Sequence, residues 1–284
     1  MQPTILFLAA GYGSRLQRDL LLDSRYAGLA GIPKPLLPLN GSPLISIWIA
    51  SLANQLQTTA ADLHKQIRIV CNAMNHHQLL EWASSSNFPK EHIQSDGTLT
   101  NETRLGAIRD LNFAINIFQI KTPVLVIAGD TLFLHDFRYN AFVAAASSSM
   151  DVLMCHYTLL NETDTLKTGI LITDTQESDG RIESLVNAIG FLEKPDPATT
   201  TSRFACPCFY FFKPSVYPKL QQFLDIKGES GSVLDEIDAT GRFIAYLVGS
   251  TDMDVKSFKI SGRLDIGGLE SYIVADEYVT RHNL

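Results

Sequence analysis

The most distinctive residues of this sequence have the types and spacing needed for phosphate chemistry. Leu8-Ala9-Ala10-Gly11-Tyr12-Gly13-Ser14-Arg15-Leu16 follows a short apolar run. Glycines at 11 and 13 let the backbone turn sharply, so successive amides of the loop can converge on phosphate oxygens. Arg15 can add charge-assisted hydrogen bonds to the same oxygens. A P-loop would need Gly-Lys-Ser/Thr, and the dinucleotide fingerprint would need a third glycine where Leu16 stands; neither is present. Alone, the loop also reads as an ordinary strand-to-helix turn. Further on, Lys34 sits between Pro33 and Pro35, which restrict the backbone and fix where its side chain can point, as a phosphate clamp requires.

Two acids could hold a metal. Asp130 closes the run Val126-Ile127-Ala128-Gly129-Asp130, at the carboxyl end of a strand, where open α/β sheets bind ligands. Mg²⁺ takes one or two carboxylates plus substrate phosphates, so a second acid should arrive from elsewhere. Asp265, in Leu264-Asp265-Ile266-Gly267-Gly268, is the candidate. Glu193 and Lys194 precede Pro195. The carboxylate can accept hydrogen bonds from sugar hydroxyls while the ammonium neutralises a sugar phosphate. Neighbours on a strand face opposite sides, so the two share a site only where the strand ends or bends, as Pro195 allows. Cys206 and Cys208 lack a second pair at zinc-ligand spacing.

The elements that must position these residues follow a βαβ rhythm. Thr4–Ala9, Ile67–Cys71, Val124–Ala128 and Val152–Tyr157 are continuous apolar runs, which predict strands covered on both faces. Helices are expected over Pro43–Gln57, with Ser42 as N-cap, and over Arg104–Ile120. The expected fold is α/β, a doubly wound, mostly parallel Rossmann-like sheet with a small β-rich lobe inserted across its carboxyl edge. That lobe comprises predicted strands Gly169–Thr173, Arg181–Val186, Gly190–Leu192 and Ala205–Phe212, then a helix ending before Gly228; Leu269–Thr280 is a closing helix. His76 and His77 are expected as exposed helix-start residues. One domain spans 1–284, with 1–160 mainly for nucleotide and 161–284 mainly for the acceptor and the closing helix. The 45% hydrophobic content suits a sizeable core, and the net charge of −7 argues against nucleic acid or anionic membrane as partner. Without a long apolar span, and with four cysteines that form no disulfide framework, the expectation is a cytoplasmic protein.

Taken together, Leu-Ala-Ala-Gly-x-Gly-Ser-Arg-Leu from Leu8 and Pro-Lys-Pro-Leu-Leu-Pro from Pro33 resemble the signature of the sugar 1-phosphate nucleotidyltransferases, or sugar-nucleotide pyrophosphorylases. Family-like motifs then run in order to Gly268. The stretch Gln17 to Ile32 is longer than in typical bacterial members and lacks their Pro-x-Thr. The resemblance implies that a nucleoside triphosphate and a sugar 1-phosphate give a nucleotide sugar and pyrophosphate, with Mg²⁺ on Asp130 and Asp265. It further implies Arg15 and Lys34 on the triphosphate, Glu193 on the sugar and Lys194 on the acceptor phosphate. Nucleotide contacts are expected from Ala9, Ala10, Gly11, Gly13 and Ser14, and from Asn101, Arg104 and Gly106 in the place where relatives read the base. Gly169 matches the glycine that lies against the sugar, whereas Cys206-Pro207-Cys208 stands where many relatives have a glycine beside a tyrosine. Ala9-Ala10 leans toward UTP or CTP, and homo-oligomers are common among such enzymes. Two alternatives stay open: a cytidylyltransferase for phosphocholine or another non-sugar phosphate, and a catalytically silent subunit that senses nucleotide sugar. A glycosyltransferase of related fold would show Asp-x-Asp, which Gly129-Asp130-Thr131-Leu132 does not.

Overall fold

The computed structural model describes residues 2–146, 150–174, 181–229 and 234–284. In chain order the first half comprises β1 (Thr4–Ala9), α1 (Ser14–Leu22), β2 (Pro38–Leu39), β3 (Ser42–Pro43), α2 (Leu44–Gln55), α3 (Ala60–His64), β4 (Ile67–Cys71), α4 (Ala73–Ser85), β5 (Ile93–Ser95), α5 (Ala107–Ile117), β6 (Val124–Ala128), β7 (Thr131–Phe133) and α6 (Tyr139–Ala145). There follow β8 (Val152–Thr158), β9 (Gly169–Thr173), β10 (Leu185–Glu193), β11 (Phe204–Cys206), β12 (Phe209–Phe212), α7 (Tyr217–Glu229), α8 (Asp235–Asp238), α9 (Thr240–Val248), β13 (Val255–Lys259), β14 (Arg263–Asp265) and α10 (Leu269–His282). The fold is α/β. It divides into two compact units, each drawn from separate stretches of chain: unit 1 is Met1–Thr4, Leu105–Ile127 and Asp136–Gly262, and unit 2 is Ile5–Arg104, Ala128–His135 and Arg263–Leu284.

Unit 2 carries the βαβ crossovers. β1 pairs with β4, and β4 with β5, all in parallel. Ile5, Leu6, Ile67, Ile69 and Val70 are fully buried, as expected of parallel strands covered on both faces. α4 is capped by Asn72, whose side chain accepts from the Asn75 amide. It therefore starts earlier than the two histidines suggest: His77 is exposed, but His76 is half-buried. α2 begins at Leu44 without a side-chain cap, because Ser42 and Pro43 are used as β3, paired with β2. The predicted N-cap at Ser42 is thus displaced by a two-residue strand pairing.

Unit 1 is the β-rich part. Its strands run in the order β11-β9-β10-β13-β8-β12-β6, and β11 also pairs with β8, so five of them close into a ring. One pair, β13 with β8, is parallel. Of the predicted strand Arg181–Val186 only Leu185 and Val186 are strand, and they continue through Gly190–Leu192 as one strand, β10, which leaves β13 after Asn187 and joins β9 from Ala188, with an irregularity at Ala188/Gly190. Ala205–Phe212 is interrupted at Pro207, which has no N–H for a ladder and so splits the run into β11 and β12. α7 runs through Gly228 to Glu229. α5 starts at Ala107 because Gly106, at φ +90°, sets the chain direction before it. The core is aromatic: Phe142 meets Phe209 and Phe258 edge-on at 5.0 and 5.6 Å between ring centres, and Phe243 meets Phe212 and Phe223. No helix among the described residues is long and apolar enough to cross a membrane.

Candidate active site

In unit 2 the glycine loop joins β1 to α1. Gly13 has a left-handed backbone (φ 60°, ψ 27°), and a Cβ there would press on the Lys34 side chain at 3.3–3.4 Å. Three carbonyls of the loop are occupied: Leu8 accepts from Gly129 N at 2.8 Å, Ala10 from Asn72 Nδ2 at 2.9 Å and Gly13 from Gln17 N at 2.9 Å. The amides of Gly11 and Gly13 have no acceptor among the described residues. Gly11 faces open space. The loop thus offers donors beside the positive end of α1, an arrangement that favours anions.

A cleft of about 70 Å³ is lined by Leu8, Ala9, Gly11, Lys34, Pro35, Gly129 and Asp130. Lys34 Nζ lies 2.8 Å from Asp130 Oδ2. Gly129 makes room for this approach, since a Cβ there would stand 2.9 Å from the Leu8 carbonyl and 3.0 Å from Pro35 Cγ. Asp265 arrives on a two-stranded ribbon: β14 pairs antiparallel with β7, with Asp265 opposite Thr131, and Ile266 N donates to the Asp130 carbonyl at 2.9 Å. Arg263 donates to the Asp265 carboxylate and to Thr131 Oγ1. Arg15 Nε donates to the Gly267 carbonyl at 2.8 Å, and a Cβ on Gly267 would overlap the guanidinium. Four residues distant in sequence, Arg15, Lys34, Asp130 and Asp265, are therefore fixed within one unit. Two partly exposed carboxylates, each paired with a cation, are hard oxygen donors of the kind a magnesium ion shared with phosphates requires. No group of three or more His, Cys, Asp or Glu that could hold a metal ion occurs among the described residues.

The base-reading candidates are less tightly arranged. Asn101 opens a short 3-10 turn, and Arg104 Nη1 folds back to the Asn101 carbonyl at 2.7 Å. Gly106 belongs to unit 1, where a Cβ would stand 3.0 Å from the Ile237 carbonyl.

Unit 1 assembles the other candidates. Glu193 lies opposite Gly169 across β9 and β10. Lys194 has φ +50°, a left-handed conformation rarely adopted by a non-glycine residue, and all the more unusual directly before a proline. This turn out of the strand is the bend that Glu193 and Lys194 need to share a site, and Lys194 Nζ sits 3.8 Å from Glu193 Oε1. Burial pushes the Glu193 carboxyl up from its ordinary value of 4.5, opposed by Lys194 and Arg242. Two glycines back onto it: a Cβ on Gly169 would overlap the Phe191 ring, and one on Gly241 would overlap the Glu193 carboxylate. Cys206 lies opposite Gly169, and its carbonyl accepts from Thr168 Oγ1 at 3.2 Å. Burial pushes its thiol, and that of Cys155, up from the ordinary value.

Sequence reasoning missed Asn72, Gly241, Arg242 and Arg263. Thr240-Gly241-Arg242 opening an apolar helical run was the available signal for α9, whereas Asn72 and Arg263 carry no local mark.

An α/β fold that sets an anion-receiving glycine loop, a lysine and two carboxylates in one unit is suited to phosphate chemistry. The family model for nucleotidyl transferases matches residues 5–282, and the chain belongs to that family; it is a nucleotidyltransferase. Solved structures share its fold. An apo UDP-glucose pyrophosphorylase superposes with a TM-score of 0.72 at 17% identity, covering 100% of both chains. A UDP-glucose pyrophosphorylase complexed with UDP-glucose gives 0.70 at 16%, covering 99% of this chain and 100% of that one. A chain described as a glucose-1-phosphate thymidylyltransferase from Bacillus anthracis gives 0.64 at 18%, covering 97% and 94%. No curated protein matches the sequence.

Proposed function

We propose that the protein joins a nucleoside triphosphate to a sugar 1-phosphate, giving a nucleotide sugar and pyrophosphate. The observation that carries this reading is the Lys34–Asp130 contact at 2.8 Å in the cleft beside Gly11, which puts a cation for phosphates and a carboxylate for metal at one point. Asp130 and Asp265 would hold Mg²⁺, which neutralises and aligns the reacting phosphates when bound. A phosphate oxygen of the acceptor attacks the α-phosphorus in line, and pyrophosphate leaves. No general base is needed, because a phosphate monoester is already anionic at neutral pH; alignment and charge neutralisation carry the rate. The loop amides and Arg15 receive the triphosphate and Lys34 the departing pyrophosphate. In unit 1, the half-buried Glu193 accepts from sugar hydroxyls, and Lys194 meets the acceptor phosphate. The neighbour solved with UDP-glucose favours a uridine nucleotide and a hexose as first substrates to try. The four cysteines, free in the structure, fit a cytoplasmic setting.

Pyrophosphate release from the purified protein with Mg²⁺, each of five nucleoside triphosphates, and a panel of sugar 1-phosphates plus phosphocholine tests this. Release that requires one triphosphate and one sugar 1-phosphate is expected. Release only with phosphocholine, or none despite nucleotide binding, refutes it.

A further inference from the structure

We propose that Tyr12 is a positioning residue for the triphosphate: its phenol, held by Thr98 and Asp96, fixes the Gly11–Gly13 turn in its phosphate-receiving shape. This rests on the reading that the loop binds the triphosphate. A Gly-x-Gly turn gains its sharp path at the cost of backbone freedom, and any ligand must order whatever freedom remains. The structure supplies that order from the side. Tyr12 Oη donates to Thr98 Oγ1 at 2.8 Å, and the Thr98 hydroxyl donates onward to Asp96 Oδ1 at 2.8 Å. The direction is forced: an ionised carboxylate only accepts, so the single Thr98 proton goes to Asp96 and a lone pair is left for the phenol.

The anchor is itself immobilised. Thr98 is 8% exposed; its amide donates to Asp96 Oδ1, and its carbonyl accepts from Ala73 N at the start of α4. Asp96 N in turn donates to the Cys71 carbonyl at the end of β4. On the other side of Gly11, Asn72 Nδ2 holds the Ala10 carbonyl while Asn72 Oδ1 caps α4. Gly11, which lines the phosphate cleft, is therefore tied at both neighbours to the framework behind it. Tyr12 itself does not line that cleft. It borders a neighbouring groove with Ser14, Leu21, Met74, Leu99 and Asn101, so its hold on the phosphate cleft runs through the backbone of the loop.

The test uses Tyr12→Phe, which keeps the ring and cuts the relay, with Thr98→Val as the matching cut from the other end and Thr98→Ser as the conservative control. Nucleotide affinity is read by calorimetry, and KM and kcat by pyrophosphate release. For one lost hydrogen bond, Tyr12→Phe and Thr98→Val should each raise the triphosphate Kd and KM by roughly 3- to 10-fold. The kcat should stay within about twofold, and the acceptor KM should be unchanged. The double variant should be no worse than Thr98→Val alone, because that change already removes the Tyr12–Thr98 bond together with the Thr98–Asp96 bond, and Thr98→Ser should match wild type. Wild-type affinity in Tyr12→Phe, or additive losses in the double variant, overturns the assignment. Wild-type protein that binds no triphosphate overturns both it and the loop reading, and so separates the two failures.

Discussion

Replacing Gly267 by Ala should cost this enzyme far more activity than stability. The added Cβ overlaps the Arg15 guanidinium and comes 3.1 Å from Asp265 Oδ2, inside ordinary contact distance. The guanidinium is the far end of a flexible side chain, so it can swing away, giving up its 2.8 Å bond to the Gly267 carbonyl. That bond contributes on the order of 1 kcal/mol. The unfolded chain, stiffened by the change from glycine, returns roughly 0.4–1 kcal/mol, so the melting temperature should fall by no more than a few degrees. Turnover should suffer differently, because the displaced arginine no longer reaches the triphosphate. A charge-assisted hydrogen bond is worth about 2–3 kcal/mol, which converts to a loss of roughly 30- to 150-fold in kcat. Pyrophosphate release at saturating substrates and a thermal melt on the same preparation measure both quantities. A variant within about threefold of wild type, or one whose melting point falls by more than ~10 °C, would refute the claim that Gly267 is small in order to seat Arg15.

Three further outcomes follow from the same geometry. Gly241→Ala, whose methyl would land on the Glu193 carboxylate, should raise the acceptor KM at least tenfold and leave the triphosphate KM unchanged; equal rises in both would place Gly241 elsewhere in function. Asp130→Asn should raise the Mg²⁺ concentration for half-maximal activity by roughly tenfold or more, and should also weaken Mg²⁺ binding followed by calorimetry in the presence of nucleotide. Glu193 is raised above its ordinary 4.5 by burial, so its ionisation costs stability at pH values above the raised value, and that cost disappears as pH falls toward 4.5. Glu193→Gln should therefore melt higher than wild type at pH 8 and lose the advantage in acid; a pH-independent difference would contradict this.

Much of the fold was legible because strands buried on both faces announce themselves as apolar runs: β1, β4 and β6 span the predicted residues. The errors have two causes. Ser42 and Pro43 look like a helix start but are recruited into a strand by tertiary pairing, and Pro207, lacking an N–H, cuts a run that hydrophobicity alone leaves whole. Within the candidate site, Gly13, Asp130 and Asp265 stand out in the sequence by type at turns beside strands, and Lys34 by its flanking prolines. What could not be read was the support around them. Asn72 holding Ala10, Arg263 holding Asp265 and the left-handed Lys194 are set by which segments meet, and no spacing in the sequence records it.

That meeting of segments has a consequence for how the protein is made. Unit 2 is built from three stretches, and the last, Arg263–Leu284, contributes both Asp265 and α10. A ribosome delivers them only after all of unit 1 has been synthesised. A nascent chain arrested at residue 262 can already hold β1, the glycine loop and Lys34, yet β7 lacks its ribbon partner. Translation therefore acts as a timer, withholding Asp265 until all of unit 1 has been made.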